Sequence, residues 1–242
     1  MTDGKGTIWF TVQGGQRIGR LDTKTGAITE YKTRGNPYGI ALDRAGNVWF
    51  CQFGGDRLGR LDPATGGITE MTMEPGSRPR RMAAAPDGSL WVTLYGNGKL
   101  VRVDPAAQRV VKEYALPGGP TGGPYAVSVD AAGIVWANEI QTDTVVRLDP
   151  QTGDVRVVTL PSKNVGIRKM IVDADGRLWY MAATTAGWAS SSDRRSRPRA
   201  TPGRDAPGAA GAGRGQRGVV GPAEARRAGR GPASHWYDAG RR

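Results

Sequence analysis

An all-β fold, one four-stranded unit repeated along the chain, is what this sequence predicts, and three observations carry the prediction. Tryptophans recur at Trp9, Trp49, Trp91, Trp136 and Trp179, at intervals of 40, 42, 45 and 43 residues. Each has a glycine three residues before it: Gly6, Gly46, Gly88, Gly133 and Gly176. Four have an aspartate thirteen residues after them, Asp22, Asp62, Asp104 and Asp149, and the fifth copy has Ser192 there. A period of about 40–45 residues, with strands and turn residues inside it, is the signature of β-propeller blades.

The second copy shows the elements in order. Ile40–Leu42 reads as a short first strand and Asp43–Gly46 as its turn. Asn47–Cys51 is the second strand, Phe53–Asp56 a hairpin turn, Arg57–Leu61 the third strand and Ile68–Thr72 the fourth. β-Branched and aromatic residues fill the strands, and glycine and Asp-Gly placements suit tight turns needing positive φ. Four antiparallel strands make a blade. The turn between the third and fourth strands is spelled Asp22-Thr-Lys-Thr-Gly26, Asp62-Pro-Ala-Thr-Gly66 and Asp149-Pro-Gln-Thr-Gly153, with Asp104-Pro-Ala-Ala-Gln108 as a degenerate copy. An aspartate side chain accepts bonds from backbone amides two residues on. These aspartates therefore read as turn formers, not metal ligands.

A second register precedes each tryptophan. Pro37, Pro79 and Pro124 lie twelve residues ahead of Trp49, Trp91 and Trp136, and Ile167 holds that place before Trp179. Tyr38-Gly39 and Tyr125-Ala126 follow as aromatic then small; Arg80-Arg81 and Arg168-Lys169 follow as cationic pairs. First strands line the channel of a propeller. Tyr38, Arg80, Arg81, Tyr125, Arg168 and Lys169 are thus candidate ligand-binding residues at the channel mouth. The competing reading makes them blade packing and surface charge.

The net charge of +12 first suggests an anionic partner. However, residues 182–242 hold 12 of the 34 Lys+Arg and only 4 of the 22 Asp+Glu. Most of the excess is in a stretch without the repeat, so nucleic-acid contact is expected only through that tail. The single cysteine, Cys51, excludes an intramolecular disulfide and reads as a buried, inert thiol. No apolar run reaches the ~18 residues of a membrane span. Met1-Thr-Asp-Gly-Lys5 does not read as a signal peptide. The expectation is a cytoplasmic protein, or a secreted or periplasmic one if a segment precedes this start.

Residues 1–181 therefore read as a partial β-propeller and 182–242 as a low-complexity, disordered basic tail that buries too little to offset chain entropy. Its residue types are also those of GC-rich codons. Shifting the frame before Ala182 can restore an Arg-Leu-Gly motif in register, an acidic residue at 192 and a histidine at 184. The tail is thus expected to be a frameshift product, and the chain as written to be poorly soluble or inactive.

The run Pro-x-Gly-Ile-Ala, Asp-x-x-Gly-Asn-Val-Trp-Phe, Leu-Gly-Arg-Leu-Asp-Pro-x-Thr-Gly, found across residues 37–66, resembles the virginiamycin B lyase (streptogramin lyase) family, and the likeness covers residues 4–181. The resemblance implies a monomeric seven-bladed propeller, of which about four and a half blades are present. It implies linearisation of a cyclic depsipeptide, a streptogramin B antibiotic, by elimination across the ester with Mg²⁺. In such chemistry a base removes the proton next to a carbonyl while the metal stabilises the developing negative charge.

This sequence departs from the family where the chemistry lies. Tyr38, Arg80 and Tyr125 occupy the slot after the proline, and the one histidine of the chain is His235, in the tail. Glu139 does match the Trp-Phe-Thr-Glu element, where the other copies have Val12, Gln52 and Leu94. It is the candidate general base or metal ligand; otherwise it is a strand-end carboxylate satisfied by solvent. Two functions compete: a carbon–oxygen lyase, and a non-catalytic propeller binding an anionic or aromatic ligand.

Overall fold

The computed structural model describes residues 1–183, together with the backbone of 188–189 and 237–238. The expectations for Ser192, His235, position 184 and the rest of the tail lie outside these residues. The strands form five sheets, four of them meandering in chain order. The first sheet contains β1 (Thr7–Val12), β2 (Arg17–Asp22) and β3 (Ile28–Lys32). The second runs β4 (Pro37–Leu42), β5 (Val48–Gln52), β6 (Arg57–Leu61), β7 (Ile68–Thr72). The third runs β8 (Pro79–Ala84), β9 (Leu90–Leu94), β10 (Lys99–Asp104), β11 (Arg109–Ala115). A four-residue helical turn, α1 (Gly119–Gly122), leads into the fourth: β12 (Pro124–Val129), β13 (Val135–Glu139), β14 (Thr144–Leu148), β15 (Val155–Thr159). The fifth contains β16 (Ile167–Val172), β17 (Arg177–Ala182) and β18 (Trp188–Ala189), and β19 (Tyr237–Asp238) also pairs with β17. All pairings are antiparallel. These are propeller blades, and their first strands β4, β8, β12 and β16 pack side by side.

The core lies between blades rather than within them. Trp9 and Ile18 pack on Val48, Phe50 and Leu61 of the next blade. Trp49 and Leu58 pack on Met82, Leu90 and Val92. Trp91 and Leu100 meet Val127, Val135 and Val146, while Trp136 and Val145 meet Ile167, Met170 and Leu178. A blade cannot bury its apolar face alone, so each tryptophan belongs to the contact with its neighbour. Truncating one to alanine costs about 3–5 kcal/mol by the usual cavity penalty. The indole N–H is also satisfied: Trp49 donates to Asp43 at 2.9 Å, Trp136 to Asp130 at 3.3 Å and Trp179 to Asp173 at 3.0 Å. Gly46 and Gly133 before the tryptophans have φ of +86° and +83°, which explains the invariant spacing.

The turn aspartates do what the repeat implied. Asp22, Asp62, Asp104 and Asp149 each accept backbone N–H groups two residues on. One strand boundary needs correction. The first strand of the second blade begins at Pro37, not Ile40, because a register shift between Pro37 and Ile40 lets the chain resume pairing across a bulge. Proline is tolerated as the first residue of a strand. Among the described residues no helix is long and apolar enough to cross a membrane.

Candidate functional site

The bulge recurs in all four first strands. Pairing shifts between Pro37 and Ile40, Pro79 and Met82, Pro124 and Val127, and Ile167 and Lys169. The bulged residues are therefore Tyr38-Gly39, Arg80-Arg81, Tyr125-Ala126 and Arg168. A bulge breaks the two-residue alternation and re-aims side chains. Here it turns one residue type per blade toward a shared space.

Gly39 sets the closest approach. A Cβ on it would lie 2.6 Å from Arg81 Cα and 2.7 Å from the Arg80 carbonyl oxygen. The small residue after Tyr38 thus admits β8 against β4 and places the arginines beside the tyrosine.

Tyr38, Arg80, Arg81 and Tyr125 meet in one cluster. The Arg80 guanidinium donates to the Tyr125 hydroxyl at 2.9 Å, and the Tyr125 and Tyr38 hydroxyls are hydrogen-bonded to each other. The Arg80 guanidinium carbon also lies 4.4 Å from the Tyr38 ring centroid and 4.5 Å from that of Tyr125. Arg81 lies 4.5 Å from the Tyr38 ring. The Nε atoms of both arginines are buried without a hydrogen-bond partner. Tyr125 is only 2% exposed, whereas Tyr38 is half-buried.

The two phenols differ in acidity. Burial opposes ionisation of Tyr38, but the hydrogen bond with Tyr125 and the charges of Arg81, Arg80 and Arg168 outweigh it and hold Tyr38 below the ordinary tyrosine value. Burial, together with the bond to Tyr38, raises Tyr125. Arg168 is exposed and touches the cluster by its charge; Lys169 is exposed and acts instead on the N-terminal ammonium, which burial and Lys169 lower.

Two aromatic members were not foreseen. Phe53 lies 4.0 Å and Tyr95 5.5 Å from the Arg80 guanidinium carbon, and Tyr95 packs edge-on against Tyr125. Both sit four residues after a tryptophan, Trp49 and Trp91, in the turn that follows the second strand. The register count applied downstream of the tryptophan would have found them. A second missed set lies two residues after the tryptophan and ties each blade to the next first strand. Thr11 donates to the Tyr38 carbonyl at 3.4 Å, Thr93 to that of Tyr125 at 2.8 Å and Asn138 to that of Ile167 at 3.2 Å. Cys51 holds that place in the second blade; it is free and fully buried, and burial pushes its thiol up, out of reach of ionisation.

Glu139 ends β13, where it pairs with Pro124, the residue before Tyr125. It is 1% exposed, so solvent does not satisfy it. Its Oε1 accepts the Gly118 N–H at 2.8 Å and its Oε2 the Thr144 hydroxyl at 3.4 Å. A Cβ on Gly118 or Gly122 would strike the carboxylate, so the glycine-rich connector into β12 is shaped around it. Burial pushes the carboxyl above the ordinary glutamate value despite those two bonds. Gln52 plays the same part in its own blade, lying under Gly35 and donating to Glu70 at 2.7 Å. Tyr95 accepts a bond from Gln141 at 3.2 Å and closely neighbours Gly123.

Magnesium wants several hard oxygen ligands in near-octahedral array. Among the described residues no group of three or more His, Cys, Asp or Glu is gathered. Among the described residues the mouth presents guanidinium cations instead, and the Glu139 carboxylate is held by the Gly118 N–H and the Thr144 hydroxyl. This donor set does not fit a divalent cation.

A cavity of about 670 Å³ lies elsewhere, lined by Asp43, Arg44, Arg60, Asp87 and Arg102. It sits at the other end of β4 from Tyr38, and repeats between the first two blades around Asp3, Arg20 and Arg44. Recurrence at successive blade junctions marks it as a packing groove, and the phenol–guanidinium cluster remains the candidate site.

A family model described as virginiamycin B lyase family matches residues 1–192, continuing past position 181. The selenomethionine-substituted virginiamycin B lyase of Staphylococcus aureus superposes with a TM-score of 0.69 at 27% identity, over 75% of this chain and 61% of that one. A streptogramin B lyase gives 0.69 at 30% identity, over 75% and 60%. A catalytically inactive variant of the Staphylococcus aureus lyase, crystallised with quinupristin, gives 0.67 at 28% identity, over 73% and 59%. This chain spans about three fifths of the length of each. No curated protein sequence matches it.

Proposed function

The chain belongs to the virginiamycin B lyase family, and from that premise we propose that its channel mouth binds a cyclic depsipeptide of the streptogramin B class and opens the ester by C–O elimination. One observation carries the reading: bulges on successive first strands bring Tyr38, Arg80, Arg81 and Tyr125 to one place. Half-buried Tyr38 offers its hydroxyl and ring to a peptide ring, and buried Tyr125 backs it through the hydroxyl–hydroxyl hydrogen bond. Arg80 and Arg81 offer donors to a carbonyl oxygen that gains negative charge when the neighbouring proton leaves. Arg168 and Lys169 extend the positive rim on the fifth blade. Glu139 accepts the Gly118 N–H of the connector into β12, and as a carboxyl of raised pKa it is the alternative proton acceptor. The Mg²⁺ implied by the family has no fitting donor set among the described residues.

A second reading is binding without chemistry, of an anionic or aromatic ligand held by the same four residues. It is favoured by the residue types at the mouth, where Tyr38, Arg80 and Tyr125 follow the prolines and residues 1–183 contain no histidine.

Incubating the full chain with quinupristin, with and without Mg²⁺, separates the two by chromatography and mass spectrometry. Elimination gives an opened product of unchanged mass, because no water is added. Gain of one water would mean hydrolysis and sink the lyase reading. Saturable binding with no product would leave the binding reading in its place.

A further inference from the structure

We propose that Arg80, Arg81 and Arg168 form a carboxylate subsite at the channel mouth, where the acid released by ring opening stays bound and competes with the substrate. The identity of that acid rests on the ring-opening reading above. The subsite is argued from charge that has no counter-charge. The two arginines of β8 are half-buried and lie against the Tyr38 ring, 4.4 and 4.5 Å from its centroid. Arg168, on the bulge of β16, is exposed, and its charge acts on Tyr38 as theirs does. Guanidinium groups of the third and fifth blades thus converge on one phenol of the second. Among the described residues no carboxylate pairs with any of the three. Elsewhere the fold does pair cations with acids: Lys99 sits between Glu74 and Glu113 at 2.7 and 2.9 Å, and Arg17 meets Glu30 at 3.3 Å.

The surrounding groups leave that charge uncompensated. β4 and β12 bring the phenols of Tyr38 and Tyr125, and the turns after β5 and β9 bring the rings of Phe53 and Tyr95. Lys169 adds a further exposed cation next to Arg168 in the chain. Glu139 of β13 has one oxygen on the Gly118 N–H and the other on the Thr144 hydroxyl. Arg80 gives one N–H to the Tyr125 hydroxyl at 2.9 Å, whereas the Arg81 guanidinium makes no hydrogen bond among the described residues. A guanidinium carries five N–H donors in a planar fork that matches the two oxygens of a carboxylate.

Charge decides which species the mouth prefers. In the closed ring the carboxyl group is tied up as the ester and carries no charge. Cleavage of the C–O bond leaves it as a carboxylate, an acceptor only, beside cations in a partly desolvated place where opposite charges attract more strongly than in water. The groups that draw charge onto the carbonyl oxygen during opening therefore hold the finished carboxylate tighter still, and product release is the step they slow.

The test measures binding and needs no turnover. The linear acid obtained by alkaline opening of quinupristin is titrated into the full chain by calorimetry, beside its methyl ester and inorganic phosphate. The acid should bind about tenfold or more tighter than the ester, as a charge-assisted pair implies, and should lose most of that margin at high salt. Arg81→Met should bring the acid close to the ester, with melting temperature as the check on its fold. Arg168→Met, at an exposed position, should weaken the acid by about threefold or more. Arg109→Met, exposed on the outer strand β11, is the control and should leave the affinity unchanged. Equal affinity for acid and ester would overturn the proposal, as would full affinity in either Arg81→Met or Arg168→Met, or phosphate binding as tightly as the acid. Ring opening is scored separately. A chain that binds the acid but opens no ring sinks the ring-opening reading and leaves the subsite standing, whereas one that opens the ring but binds acid and ester alike sinks the subsite alone.

Discussion

The Arg80 guanidinium donates to the Tyr125 hydroxyl across 45 residues of sequence, at 2.9 Å, while its carbon lies over four aromatic rings. One cation thus organises residues from β4, β8 and β12 and the turns after β5 and β9. Replacing Arg80 with methionine keeps much of the stem and removes the charge. We expect Tyr38 to titrate higher in Arg80→Met, because a cation nearby favours the phenolate. A stability loss of about 1–2 kcal/mol should accompany it from the lost cation–π contacts. Tyrosinate absorbance and denaturant unfolding read the two effects separately.

Gly39 governs the distance between the strands that carry those groups. Its missing Cβ would stand 2.6 Å from Arg81 Cα, a backbone atom that cannot rotate away. Gly39→Val is expected to cost about 1–3 kcal/mol by overpacking and to weaken any ligand that bridges Tyr38 and Arg80. Gly54→Ala, in a turn with open space at that position, is the control and should leave both stability and binding near their original values. Denaturant midpoints for the two variants make the comparison.

The buried carboxyl of Glu139 makes stability depend on pH in a defined direction. Its folded pKa lies above the ordinary value because burial penalises the charged form. Between the unfolded and folded values the native state holds the proton more tightly. The contribution is therefore present in acid and lost as pH rises through that window. Glu139→Gln should remove this part of the pH dependence while keeping a side-chain acceptor for the Gly118 N–H. Unfolding free energies on either side of the window check it. A carboxylate stabilised by an unseen cation would give the opposite slope.

Much of the fold was legible. The tryptophan period, the glycine before it and the aspartate after it gave the blades, their order and the structural role of the turns, because each follows from local geometry. The third and fourth strands of the second blade fall at Arg57–Leu61 and Ile68–Thr72, as the pattern indicates. Two-residue alternation alone starts the first strand of the second blade at Ile40, because a bulge hides its true start at Pro37. The same bulge explains the site. The residues after each proline could be placed at the mouth from their register, but their direction could not, since side-chain direction in a bulge is a matter of pairing across strands. Phe53 and Tyr95 escaped notice for a related reason: they converge on Arg80 only when two turns from neighbouring blades stack. Glu139 stands out in the sequence as the one carboxylate in its slot, yet its two hydrogen bonds and its burial under the Gly118–Gly122 connector depend on residues that no local pattern links to it.

By itself, then, the sequence determined the repeat, the strand order, the inter-blade tryptophans and the family, all of which are written in short intervals along the chain. Only the tertiary structure decided that Tyr38 meets Tyr125, 87 residues away, and that Arg80 sits among four rings rather than in solvent. The physical reason is radial stacking. First strands separated by a whole blade in sequence become nearest neighbours, and only their bulges set which side chains share the space between them.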